Sequence, residues 1–352
     1  MTSKPAPPPP VAAETMRALV AAAADFAAVK PWEYMCDCDV VGLMDPVANE
    51  TRIGCVLGNA GEVFGAVFYR RASGLRWIMK MLDSPADTLN GDAVEGLDAL
   101  KVEFVPKREI SKADLAVLNA LNFRPSGKGC VWPQFQSAEP GWLPWFVNQK
   151  EAEQMLVDLP RLTLFSKLVR EHLGLFADRT LNEVPFLPDP MPGGPLRVED
   201  LNWRPLIAPP ESCVSFQANS GQLAQLGALP RVPKSAYEYD CSIAHGGAVL
   251  QNGRPCYSRI SLLVEHRRGI LLGFELGLGI EPLTESTGRG LLKLLLKNGF
   301  LPQRILIPGL RLQPVLEQFC NALQIELKPS ERLPSLEEAM ASLDQFMQHG
   351  PF

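Results

Sequence analysis

Between residues 177 and 235 the chain carries Pro185, Pro188, Pro190, Pro192, Pro195, Pro205, Pro209, Pro210, Pro230 and Pro233, with Gly193 and Gly194 among them. Each proline fixes φ and removes a backbone donor, so helices and central strands are interrupted repeatedly. A connector of this length without regular structure does not belong inside one compact domain, which places a boundary here. The 352 residues suit two domains of roughly 100–200 residues each. The predicted layout is a disordered Pro-rich tail with an amphipathic helix over 1–30, an N-terminal α/β module over 31–176, a Pro-rich linker over 177–235 and a C-terminal α/β module over 236–352.

The two flanks repeat one plan. In the first, residues 37–45, 51–58 and 62–70 are rich in β-branched and aromatic residues between turn residues and read as a three-strand meander. Leu75, Ile78, Met79 and Leu82 share a helical face; strand 100–106, helix 111–121 capped by Ser111, strand 131–136 and a helix from about Asn148 follow. In the second, strands 237–244, 256–265 and 269–278 precede a helix at 288–299, a strand at 303–308, a helix at 311–323, a strand at 325–329 and a helix at 333–347. The order βββαβαβα thus occurs twice and points to an internal duplication. It predicts an α/β (α+β) protein of two similar modules with the ribonuclease-H-like order of elements, an analogy that licenses no function.

Composition narrows the partners. The net charge of −5 disfavours nucleic acid, and no window supplies the about 18 uncharged apolar residues of a membrane helix. The N-terminal stretch carries Glu14, Arg17 and Asp25 where a secretory signal needs an apolar run. Eight cysteines scattered through apolar surroundings suit reduced thiols and a cytoplasmic setting.

Most motifs with chemical promise read better as structure. In "GNAGE" (58–62) the glycines are followed by strand formers, with no Gly-Lys-Ser/Thr and no helix, so the motif predicts a β-hairpin turn with Asn59 and Gly61 at positive φ. "CDCD" (36–39), read as strand, puts Cys36 and Cys38 on one face and Asp37 and Asp39 on the other; zinc needs further ligands at a spacing the sequence lacks, so no metal or cofactor is expected. Asp37 or Asp39 with Glu103 on a fourth strand forms part of the acid set of a metal-dependent phosphodiesterase, but the first helix supplies no third acid. Glu238 and Asp240 on the second module's first strand likewise stand without partners in a set. There is no G-x-S-x-G elbow, and "AHGGA" (244–248) reads as a plain turn rather than an oxyanion loop. The aromatic group "PGWLPWF" (140–146) remains: Trp142, Trp145 and Phe146, stiffened by Pro140 and Pro144, suit an apolar platform for a protein or small-molecule partner.

Two blocks carry a resemblance. "GCVLGNAGEVFGAVFYRRASGL" with "PQFQSAEPGWLPWF", and "GFLPQRILIPGLRLQPVLEQFCNALQIELKPSERLPSLEEAM", resemble the first and second parts of a group of uncharacterised bacterial proteins made of domains of unknown function. The resemblance implies a two-part layout and a bacterial source and carries no catalytic residue over. The expectation is a binding or interaction protein rather than an enzyme, with the phosphodiesterase of Asp37, Asp39 and Glu103 as the alternative.

Overall fold

The computed structural model describes residues 6–45, 50–83, 96–125, 131–177, 183–207, 209–210 and 214–349, apart from the side chains at 245–247, 344 and 346–349. In the first module, helix α1 (Ala13–Val29) precedes β1 (Val41–Met44), β2 (Thr51–Leu57) and β3 (Phe64–Tyr69). Then come α2 (Arg71–Asp83), β4 (Ala99–Val105), α3 (Lys112–Ala120), β5 (Trp132–Ala138), β6 (Trp145–Phe146), α4 (Gln149–Glu171), β7 (Glu183–Phe186) and β8 (Asn202–Pro205). Eight strands form one sheet in the order β6-β5-β4-β3-β2-β1-β7-β8. Neighbours from β1 to β6 are antiparallel and β7 lies parallel to β1.

Strand alternation explains why both faces are covered. Val56, Ala66, Phe68, Leu100 and Val102 face α1 and α4, while Ile53, Cys55, Val67, Tyr69 and Ala99 face α2. The hairpin expected at "GNAGE" joins β2 to β3, with Leu57 opposite Gly65. Its positive-φ residues are Gly58 and Gly61, not Asn59; glycine adopts that region without a Cβ penalty.

In the second module α5 (Ser220–Gly227) leads to β9 (Arg231–Gln251), β10 (Arg254–Glu265), β11 (Leu271–Leu278), α6 (Leu283–Asn298), β12 (Leu301–Pro308), α7 (Gln313–Ala322), β13 (Glu326–Ser330) and α8 (Pro334–His349). The sheet order is β11-β10-β9-β12-β13, with β9, β10 and β11 antiparallel and β12 and β13 added in parallel. Leu291, Leu294 and Leu295 of α6 pack with Phe319 of α7 on one face, and Leu333, Leu336 and Met340 on the other.

The α/β character and the two sheet-bearing modules match the sequence reading; five features differ from it. Helix α1 is no appendage: Leu19, Ala23 and Phe26 are fully buried in the first core against α4. The region 177–235 is not one linker, because Glu183–Phe186 and Asn202–Pro205 extend the first sheet, and α5 and the start of β9 belong to the second. Pro205 ends β8, an edge strand, the position in a sheet where proline is tolerated. The first strand begins at Val41, so "CDCD" precedes it in a tight turn, with the Asp39 N–H donating to the Cys36 carbonyl at 2.9 Å. Residues 244–248 are not a turn but part of the continuous strand β9. The ribonuclease-H-like arrangement expected of both modules is not met by the first, where β4 returns antiparallel beside β3.

Candidate ligand site at the module junction

The segment following β5 connects the two modules. The Trp142 N–H donates to the Glu139 carbonyl at 3.0 Å, and Gly141 takes φ 76°, turning the chain sharply. It then runs against the tip of the β9–β10 hairpin: Leu143 N–H donates to the Pro255 carbonyl at 3.1 Å, and Tyr257 N–H to the Gly141 carbonyl at 2.9 Å. Trp142 and Cys256 complete an antiparallel bridge. A Cβ on residue 141 would lie 2.3 Å from the Gly279 carbonyl oxygen, so only glycine fits this approach.

Arg254, at the start of β10, lies over the Trp142 ring with its guanidinium carbon 4.7 Å from the centroid, and its Nη1 donates to Glu139 Oε1 at 3.1 Å. Its Nε and Nη2 are buried and have no hydrogen-bond partner among the described residues. Stacking on the indole face and one ion pair hold the guanidinium plane while leaving that edge unused. Trp145 and Phe146 form the short edge strand β6, half-buried, with ring centroids 5.0 Å apart at an interplanar angle of 75°.

Beneath them Asn148 caps α4: its side chain accepts from the Glu151 N–H, and the Glu151 carboxylate accepts from the Asn148 N–H. Burial alone would raise the Glu151 carboxyl, but hydrogen bonds from Ser137 and the Asn148 N–H, together with Arg70, hold it below the ordinary carboxylate range. Arg70 Nη2 stands 2.8 Å from Glu151 Oε1, and Arg70 Nε donates to Asp98 at 2.7 Å.

Two cavities adjoin here. One, of about 250 Å³, is lined by Ser137, Glu139, Trp145, Glu151 and Arg254. The other, of about 220 Å³ and mostly apolar, lies among Met16, Val117, Leu121 and Phe135. Phe146 and Pro9 line both. The N-terminal stretch crosses this region: Ala6 N–H donates to the Gly253 carbonyl at 2.7 Å, and Ala12 N–H to Gln149 Oε1 at 2.8 Å.

The residues of the phosphodiesterase alternative are not assembled around one point. Glu103 is on β4 and pairs with Lys101 at 2.7 Å; three strand spacings, roughly 14 Å, separate β4 from β1. Asp39 accepts the Cys36 N–H at 2.9 Å. Ligand atoms of Cys36, Asp37 and Cys38 lie within 4.8 Å of one another, a closer grouping than strand alternation predicted, because the turn brings the side chains together. Burial and hydrogen bonds with Cys38 and Asp39 push the Cys36 thiol up to about 12, the reverse of what activates a nucleophile.

In the second module, Glu238 is fully buried and accepts from Leu336 N–H at 2.7 Å, with His266 Nδ1 2.6 Å away, and Asp240 pairs with Arg311 at 2.9 Å. These acids fasten α8 and the loop after β12. A polar cavity of about 140 Å³ near Ser261 has its outer charges matched, Arg289 to Glu281 at 3.3 Å and Lys293 to Glu275 at 3.5 Å. Arg254 and the inter-module cavity escaped sequence reasoning, since a lone arginine after an Asn-Gly turn carries no local sign of the aromatic ring it meets from residue 142.

Residues 17–185 match the model of a domain of unknown function, DUF7309, and residues 222–344 match a second domain of unknown function, DUF6930. The chain is a two-domain protein joining them. The first match takes in most of α1 and reaches β7, in keeping with the part both play in the first sheet module. No curated protein matches the chain.

Proposed function

We propose that this chain, built of two domains of unknown function, acts by binding at its module junction rather than by catalysis. The observation that carries the reading is the placement of the aromatic segment. Phe146 separates two adjoining cavities, Trp145 lines one of them, and Trp142 holds the arginine that reaches in from the other module. Ligand pockets typically combine an apolar lining with a few fixed polar groups, and junctions between domains are favoured places for them. The occupant is a small molecule or a protein segment with an apolar surface. Six described cysteines are free thiols, which suits the reduced, cytoplasmic setting read from the sequence, in a bacterium.

The test is a ligand-observed NMR screen of small apolar and amphipathic fragments against wild type, Phe146→Ala and Trp145→Ala. Hits that lose their saturation transfer in both variants support the reading. Fragments that bind wild type and both variants alike remove the junction from it. Incubation with Mn²⁺ and RNA, DNA or hybrid substrates, giving cleavage that disappears in an Asp37→Asn, Asp39→Asn variant, would overturn binding in favour of phosphodiester chemistry.

A further inference from the structure

We infer that the junction cavity is a site for a small monocarboxylate with an apolar body, its carboxylate held by Arg254; this rests on the proposed binding function and names its ligand class. The chain supplies its own reference for the chemistry. Arg52 donates from Nε and Nη2 to the two oxygens of Asp158, at 2.7 and 2.9 Å, in the side-on fork that matches the spacing of carboxylate oxygens. Arg254 keeps the same two nitrogens buried and without a protein acceptor among the described residues, and its side chain lines a cavity of about 250 Å³. A buried cationic donor left unpaired is costly, and a bidentate acceptor removes that cost for both nitrogens together.

The surroundings select among anions. Glu139 and Glu151 stand on the same lining, and their negative charge opposes a phosphate dianion more than a single carboxylate. Trp145 and Phe146 give the rest of the ligand an apolar wall. Pro7 and Pro9 lie across the cavity, tied down through Ala6 to the hairpin tip, and the volume they leave suits a molecule of amino-acid size rather than a folded partner. Trp142 fixes the guanidinium plane from behind, as the aromatic partner of a bidentate arginine does.

Titration calorimetry of the full chain with phenylacetate, phenylacetamide and inorganic phosphate tests this. The expected result is saturable binding of phenylacetate, at least tenfold weaker binding of the isosteric amide, and no heat from phosphate. Arg254→Lys, which keeps the charge and loses the fork, should weaken phenylacetate at least tenfold. The acid–amide comparison on wild type decides the matter even if that variant does not fold. Equal affinity for acid and amide, or unchanged affinity in a folded Arg254→Lys, overturns the carboxylate assignment while leaving the junction as a binding site. Absence of binding by phenylacetate at millimolar concentration also overturns it, and the fragment screen then judges the junction on its own. Preference for phosphate would assign the fork to a different anion and sink the inference.

Discussion

The two modules begin from one order of elements and arrive at different sheets. After its third strand each chain segment enters a helix, α2 in the first module and α6 in the second. From α2 it returns beside the strand it left, so β4 is antiparallel to β3. From α6 it crosses the sheet and lands parallel to β9, two strands away from β11. The buried polar groups differ in the same way. The first module buries ions, Arg52 with Asp158 and Arg70 with Asp98 and Glu151. The second module instead buries an acid held by a backbone amide, Glu238 accepting from Leu336 N–H, and a hydroxyl cluster in which Tyr239 donates to the Thr287 carbonyl at 2.6 Å and lies 3.2 Å from the Ser261 hydroxyl. Element order constrains local structure; which strands become neighbours depends on where a connection can bury its apolar face, and two sequences with one order can solve that differently.

The ion-rich interior of the first module predicts the largest effect. Asp158→Ala leaves Arg52, 2% exposed, without its bidentate acceptor and should destabilise that module by about 3–5 kcal/mol. Urea unfolding followed by fluorescence and by far-ultraviolet circular dichroism would register it; a loss under 1 kcal/mol would remove the contrast between the interiors. Next comes Glu238→Gln in the second module, where the carboxylate receives the Leu336 N–H at the start of α8. Replacing the charged acceptor should cost about 1.5–3 kcal/mol and increase amide exchange in α8 before the rest of the module.

Acid separates the modules more finely. Glu151 is held below the ordinary carboxylate value, so its contribution is fully present above the unfolded-state value of about 4.3 and disappears as pH falls through its lower folded value. Wild type should therefore lose stability relative to Glu151→Gln between pH 5 and strongly acid conditions, roughly, as linkage requires. Parallel stability–pH curves for the two proteins would refute it. The smallest expected effect is at Ser111, whose hydroxyl accepts the Asp114 N–H at 3.0 Å to begin α3; Ser111→Ala should cost about 1 kcal/mol, read as a shift in the first module's urea midpoint.

Much of the fold was legible because its signals are local. Runs rich in β-branched and aromatic residues between turn residues located β2 and β3, glycines marked the hairpin joining them, Ser111 announced a helix, and the helix expected at 333–347 is α8. What stayed hidden depends on partners distant in sequence. Val184 and Phe186 alternate with Pro185, which argues against a central strand, and only their seat beside β1 and the Arg204 side chain 3.7 Å from the Phe186 ring centroid make a hairpin of them. The candidate site divides in the same manner. Its aromatic half stood out in the sequence as a compact run of rings, whereas its charged half, Arg254, acquires meaning only from Trp142 and Glu139 more than a hundred positions earlier.

The contact of Gly141 and Leu143 with Pro255 and Tyr257 also sets a schedule. During synthesis the turn at 140–143 leaves the ribosome roughly 110 residues before the hairpin that covers it, an interval of about 6–22 s at 5–20 residues per second. Through that interval a tryptophan ring and two backbone amide partners stand uncovered. The β9–β10 tip, once made, closes the seam between the two lobes.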